Sequence, residues 1–287
     1  DKPNYELARE ATRELLEVLK REYTWEIEDV IKNTTGEHFR EQEIGFGATL
    51  GGMLDRVYHN SPSKAIIDCL QNHPDPEVRE RFASLKPYHF GYPSRGTWSK
   101  EDGTKNLELA REATGELIEV LNGKYNWEIE DVIKNITWQH FKEQKVKIGA
   151  TLSGMLGTVY GSSPSSAVID YLQHHPDPNV RKRFEKLRPY HFNKASRGTW
   201  TKEDGTPNYE TMRDATGELL QALRNKHGWS DEELKAKVTR EHFMGEQIEF
   251  GATLGGVLAN VYNWNSQSAV ADYFAHRDSD ESKANRV

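Results

Sequence analysis

Three histidines, His38, His140 and His242, fall 102 residues apart, each one residue before a phenylalanine (Phe39, Phe141, Phe243). A bound metal needs several N, S or O ligands converging on one point, and none of the three has a second histidine or a cysteine at ligand spacing. They read as structural histidines. His73-Pro74-Asp75 and His174-His175-Pro176-Asp177 hold nitrogen and oxygen donors, but Asp before Pro is foremost a helix-start signal. The glycine-rich run Gly47-Ala48-Thr49-Leu50-Gly51-Gly52 lacks the Gly-Lys-Ser/Thr that completes a phosphate loop. Cys69, the one cysteine, stands opposite Tyr171 at the 102-residue offset, which gives a nucleophile no support. Glu26, Glu28 and Asp29 sit on a solvated helix with nothing to place a cleft around them. The expectation is a protein that is not an enzyme, with no cofactor and no metal.

A second class of chemistry, contact with nucleic acid, has more candidates. Ser61, Ser63 and Lys64, then Ser163, Ser165 and Ser166, then Asn265, Ser266, Gln267 and Ser268 occupy the first turn of one recurring helix. Small polar groups there can reach phosphates or base edges if the helix is the second of a helix-turn-helix pair. Ordinary capping is the alternative reading of the same serines. Bases gather further on: Arg79, Arg81, Lys86 and Arg95, and again Arg181, Lys182, Arg183, Lys186, Arg188, Lys194 and Arg197, interleaved with Tyr88, Phe90, Tyr190 and Phe192. Cations bind phosphates and exposed aromatics stack on bases, while the bland reading is a solvated face above aromatics in a core. From Lys142 to Lys202 eleven bases face four acids, a local +7 in a chain of net charge −7.

The elements that must position these residues come from a repeat. Asn4–Trp98 recurs at Asn106–Trp200 and from Asn208 onward, without gaps. Copies one and two are about two-thirds identical, and the third has drifted. Residues kept in all three include Trp25/Trp127/Trp229, Thr35/Thr137/Thr239, Gly52/Gly154/Gly256, Leu54/Leu156/Leu258, Tyr58/Tyr160/Tyr262, Ala65/Ala167/Ala269 and Asp68/Asp170/Asp272. Connectors rich in Gly, Ser and charge run from Ser94 to Gly103 and from Ser196 to Gly205, giving repeats at 1–97, 98–199 and 200–287, the last truncated. More copies are expected upstream of Asp1, where a connector would be finishing.

Within copy one, Leu7, Ala8, Ala11, Leu15, Leu16 and Leu19 mark an amphipathic helix over about 5–22, with Glu6, Arg9, Glu10, Arg13, Glu14 and Glu17 on its solvated face. Short helices follow at 25–32, after the Thr35 cap, at 48–58, at 62–70 after Ser61-Pro62, and at 76–82 after Asp75-Pro76. Lys86-Pro87-Tyr88-His89-Phe90 closes the copy, and no segment alternates like a strand. The fold class is all-α: three tandem copies of a small helical, helix-turn-helix-like domain.

Composition agrees. With 36 % hydrophobic residues the chain suits several small cores better than one large one. No apolar run reaches membrane-spanning length, no signal-peptide pattern opens the chain, and one cysteine excludes a disulfide framework. A soluble, cytoplasmic protein is expected.

The order Trp25, Thr35, Phe39, Leu50-Gly51-Gly52-Met53-Leu54, Tyr58, Ser61-Pro62-Ser63-Lys64-Ala65, Lys86-Pro87-Tyr88-His89-Phe90, Gly96-Thr97-Trp98 resembles uncharacterised tandem-repeat helical domains of Bacillus-type bacteria. In those, a Gly-x-Trp connector alternates with a unit ending in Lys-Pro-Trp-x-Phe. The likeness covers copies one and two and copy three to about Asp272, and departs at Tyr88 and Tyr190, where tryptophan is expected. It implies the helical fold and a helix-turn-helix look. The likeness adds little on function; the polar first turns and the basic cluster make the leading expectation an array that binds double-stranded DNA, with the helices from Ser61, Ser163 and Asn265 in the groove and Arg181, Arg183, Arg188, Lys194 and Arg197 on phosphates. The rival is a scaffold of repeated surfaces that binds a protein partner.

Overall fold

The computed structural model describes residues 3–93, 96–100, 102–193, 198–202 and 204–284. Among them every regular element is helical, and the β contacts are three isolated bridges. Copy one contributes α1 (Tyr5–Tyr23), α2 (Ile27–Asn33), α3 (Gly36–Glu41), α4 (Gly51–Tyr58), α5 (Pro62–Gln71) and α6 (Pro76–Phe82), then a 3-10 turn at Pro87–His89. Copy two repeats the order as α7 (Leu107–Tyr125), α8 (Ile129–Asn135), α9 (Trp138–Glu143), α10 (Ser153–Tyr160), α11 (Pro164–Gln173) and α12 (Pro178–Arg183), with a 3-10 turn at Pro189–His191. Copy three gives α13 (Tyr209–His227), α14 (Asp231–Lys237), α15 (Arg240–Gly245), α16 (Gly255–Asn260) and α17 (Ser266–Ala284).

Local chemistry sets these boundaries. The Asn4 side chain accepts from Leu7 N–H (3.1 Å) to open α1. Ser61 accepts from Lys64 N–H (3.3 Å) with Pro62 at the first helical position, and Asp75 accepts from Glu77 N–H (2.9 Å) ahead of α6. The repeated histidines are caps too. His38 and His242 accept the backbone N–H of Thr35 and of Thr239 through Nδ1 (3.0 Å each), closing capping boxes on α3 and α15.

The fourth helix starts at Gly51, three residues later than its glycine-rich run suggests. Ile44 N–H donates to Ala48 (2.8 Å), and the loop it closes puts Phe46 at φ 57°, which holds 45–49 out of the helix. The same left-handed residue appears at Ile148 (φ 60°) and Phe250 (φ 59°). A β-branched isoleucine at positive φ is strained, so something must hold it there.

Contacts divide the chain into two compact units, residues 1–120 with 139–162, and residues 121–138 with 163–287. The first centres on Leu15, Leu19, Val30, Ile31, Phe39, Leu54 and Ile66, and Ile148 of copy two packs against that core. The second centres on Leu219, Leu223, Leu234, Phe243, Leu258 and Val270, and includes Tyr190 of copy two. Copy two thus lends residues to the core of each neighbour in sequence. Burying a leucine-sized side chain is worth about 1.5–3 kcal/mol, so these shared residues tie copies firmly.

Inside a copy, residues kept in all three form a clasp. Arg9 grips Asp68 with two bonds (2.9 Å each) while Tyr58 donates to the same carboxylate (2.8 Å). Arg213, Asp272 and Tyr262 repeat it. Burial and the Asp68 carboxylate push the Tyr58 hydroxyl above the ordinary tyrosine range, which keeps it a donor.

Candidate interaction surfaces

The helix proposed to enter a DNA groove is the central helix of its copy. α5 packs on α1, α4 and α6, and Lys64 is its one exposed residue, while α11 has none. A recognition helix needs a free face. Ser63 and Ser165 are each only 1 % exposed, and the Ser61 hydroxyl, itself buried, meets that of Ser63 (3.2 Å). Ser163 caps Ser166 N–H (3.2 Å) and meets the Ser166 and Ser165 hydroxyls (2.8 and 3.2 Å). Ser266 is half-buried. Gln267 is exposed but donates to the Val238 carbonyl (3.0 Å). The capping reading accounts for most of these groups, Asn265 included, which accepts Ser268 N–H (3.0 Å); Lys64, Asn265, Gln267 and Ser268 are exposed, and Ser166 is half-buried like Ser266.

The bases divide similarly. Arg181 donates to the carbonyls of His175 and Pro176 and so locks the turn before α12. Arg183 pairs with Glu130 and lies over the Phe184 ring. Arg188 donates to the carbonyls of Glu185 and Leu187 (3.2 and 3.1 Å). It borders a cleft of about 750 Å³ whose walls also carry Glu210, Asp214 and Glu218. A cleft lined by both signs is not a phosphate track. Lys182, Lys186 and Arg188 remain exposed. Lys194 and Arg197, like Arg95, lie outside the described residues.

The interleaved aromatics are not stacking platforms. Tyr88, Phe90, Tyr190 and Phe192 are 1–4 % exposed. Their burial has a purpose the sequence reading missed. His89, wholly buried, accepts Lys86 N–H on Nδ1 (3.0 Å), which leaves the proton on Nε2 to be donated to the Glu116 carboxylate (2.8 Å). Tyr88 donates to the same carboxylate. Burial opposes ionisation of Glu116, but the bonds from His89 and Tyr88 and the nearby Lys147 ammonium (3.6 Å) outweigh it and hold the carboxyl below the usual glutamate range. In the second unit His191 and Tyr190 grip Glu218 in the same way (2.8 and 2.7 Å).

Trp98 stacks on Tyr88 (centroids 5.7 Å apart) with its indole nitrogen against Gly154, and Trp200 stacks on Tyr190 (6.2 Å) against Gly256. The left-handed loop completes each junction: Phe250 lies on Phe184 (5.7 Å) and His191 (5.0 Å), and the half-buried Ile148 packs against the core of copy one. One copy's end, Pro-Tyr-His-Phe and the connector tryptophan, therefore plugs into the next copy's first helix and loop. The signal was in the sequence as the threefold Glu14/Glu116/Glu218.

A second repeated feature lies at the surface. Tyr23 stacks on Trp25 (4.6 Å) and His227 on Trp229 (4.6 Å), Tyr125 lies tilted over Trp127 (5.0 Å), and His38 and His242 are edge-on to their tryptophans. Tyr23 and Tyr125 are 44 % and 42 % exposed, His227 is exposed, and the tryptophans are half-buried. Each copy so carries a two-ring ledge just after its first helix.

Among the described residues no group of three or more His, Cys, Asp or Glu could hold a metal. Burial pushes the Cys69 thiol up to about 12, so it is an inert core group. Among the described residues no helix is long and apolar enough to cross a membrane. Comparison with protein-family models, with curated proteins and with solved structures found no match.

Proposed function

We propose that the chain is a non-catalytic scaffold of tandem repeats, of the kind its sequence resembles in Bacillus-type bacteria, that binds a protein partner through repeated surfaces. The observation that carries this reading is the aromatic ledge, Tyr23 on Trp25, Tyr125 on Trp127 and His227 on Trp229, solvent-facing in each copy. A stacked ring pair supports an apolar, proline or aromatic side chain, and each such contact is worth about 0.5–1.5 kcal/mol beyond the area it covers. Three weak sites on one chain bind a multivalent partner far more tightly than one does. The test is capture and identification of partners with the intact chain and with Tyr23→Ala, Tyr125→Ala and His227→Ala combined, all at exposed positions. The same protein should be retained by the first and lost from the second. Equal retention would reject the ledges as the binding surface.

The second reading is double-stranded DNA. It is favoured by the exposed Lys182, Lys186 and Arg188 beside Arg183 in the second compact unit. It draws no support from α5 and α11, whose first turns are largely buried.

A further inference from the structure

Two of the three copies receive the end of the copy before them, and each does so with the same three features. Glu116 and Glu218 take the histidine and tyrosine. Gly154 and Gly256 take the connector tryptophan. Ile148 and Phe250, held at positive φ, pack against the preceding copy. Copy one has all three features and none of the plug. Glu14 is exposed and accepts Gly45 N–H (2.7 Å) instead. Gly52 has open space where its counterparts meet an indole. Phe46, at the same φ as Phe250, is fully exposed (114 %). Beside Glu14 lies an acidic cleft of about 680 Å³, bordered by Val18, Ile44 and Gly45 and by Glu17, Glu22 and Glu43.

We propose that this face of copy one is a vacant socket for the same plug: a protein segment reading cation-Pro-Tyr-His-Phe in a 3-10 turn, followed by a Gly-Thr-Trp connector, and carried by another repeat of this type. The occupant's chemistry is fixed by the two filled sockets. Its imidazole and phenol donate to Glu14, its indole lies on Gly52, and the face of its last helix covers Phe46, as Phe184 covers Phe250. Glu14 then loses water but gains two donors, the exchange that keeps Glu116 ionised in its half-buried place. The chain's own plugs are engaged at Glu116 and Glu218, so the ligand is an additional copy end. The socket is distinct from the ledges, and its filling does not depend on their binding a partner.

The test titrates the full chain into a fluorescein-labelled synthetic peptide of residues 178–201, read by anisotropy, with sedimentation of the unlabelled chain alongside. The expected result is saturable binding, weakened at least tenfold by Glu14→Gln in the chain and by His191→Ala or Trp200→Ala in the peptide, and unchanged by Lys64→Ala. Gly52→Leu, which fills the indole's place on an exposed helix face, should weaken it as well and guards against a misfolded Glu14 variant. Absence of saturable binding at millimolar chain, or affinity unchanged from the parent chain in both Glu14→Gln and Gly52→Leu, would overturn the proposal. So would self-association of the chain that either variant abolishes, because the occupant would then be a second molecule of this protein. Loss of partner capture by the ledge variant with peptide binding intact would separate this socket from the scaffold's other surface.

Discussion

His89 Nε2 lies 2.8 Å from Glu116 Oε2, a bond between the end of one copy and the first helix of the next, and His191 and Glu218 repeat it at the next junction. Both imidazoles are wholly buried. Repeat proteins owe much of their stability to such nearest-neighbour interfaces. Glu116→Gln leaves Tyr88 and His89 with a neutral acceptor, and His89→Ala leaves the carboxylate half-buried with one donor fewer. A hydrogen bond to a charged group is worth about 1.5–3 kcal/mol. Urea unfolding should show losses of that order for each, whereas Glu14→Gln, at an exposed position, should stay within about 0.5 kcal/mol of the parent.

The acid dependence of this junction follows from the depressed Glu116 carboxyl. A carboxyl whose folded pKa lies below its unfolded value gives stability that is complete above the unfolded value, near 4.5, and is lost as pH falls through the lower folded one. Protection of the Tyr88 and His89 amides, their exchange taken relative to the unprotected rate at the same pH, should fall below about pH 4.5. In Glu116→Gln, protection there should be lower at neutral pH and flatter across the acid range. An unchanged acid limb in the variant would mean that other carboxylates govern it.

Thr34 is 2 % exposed and its hydroxyl has no hydrogen-bond partner. Its counterparts are Ile136 and Val238, both buried. Thr34→Val keeps the shape and removes a desolvated polar group, and should stabilise the chain by about 1–2 kcal/mol in urea unfolding. Destabilisation would show that the hydroxyl is satisfied by water.

Gly217 fits beneath Tyr273, and a Cβ at 217 would sit 2.7 Å from that ring. Copy one inverts the pair, with Arg13 opposite Cys69, and copy two has Gly115 with Tyr171. Large and small residues thus exchange between the two helices. Gly217→Arg should cost about 1–3 kcal/mol, and Tyr273→Cys in the same chain should recover most of it. A double-mutant cycle with no coupling would contradict the exchange.

Much of the fold was legible because it is written locally. Ser61-Pro62, Asp75-Pro76 and the Thr35 cap each name a helix start within a few residues, and the apolar spacing of α1 names its buried face. The start of α4 was not legible, since it depends on a bridge from Ile44 to Ala48 and on a phenylalanine at positive φ, which no propensity favours. The junctions were harder still. Glu14 on the solvated face is read correctly for copy one, but its counterparts Glu116 and Glu218 are half-buried under histidines 27 residues earlier. Treating each copy as its own domain hides that partner, and so makes Tyr88 and Tyr190 look available to nucleic acid. The serines of α5 and α11 carried the opposite ambiguity. A capping serine and a phosphate-contacting serine have the same sequence, and only the packing of α5 among α1, α4 and α6 separates them.

The most direct measurement of the central claim, a scaffold that works through protein surfaces, is fluorescence anisotropy of a mixed-sequence duplex at low and moderate salt. It needs the intact chain and the combined Arg181→Glu, Arg183→Glu and Arg188→Glu variant. The account predicts no saturable binding at moderate salt, and the same weak response from both proteins at low salt, since Arg181 and Arg183 are committed within the fold. Tight binding that falls steeply with salt and vanishes in the variant would contradict it and make the array a DNA-binding protein.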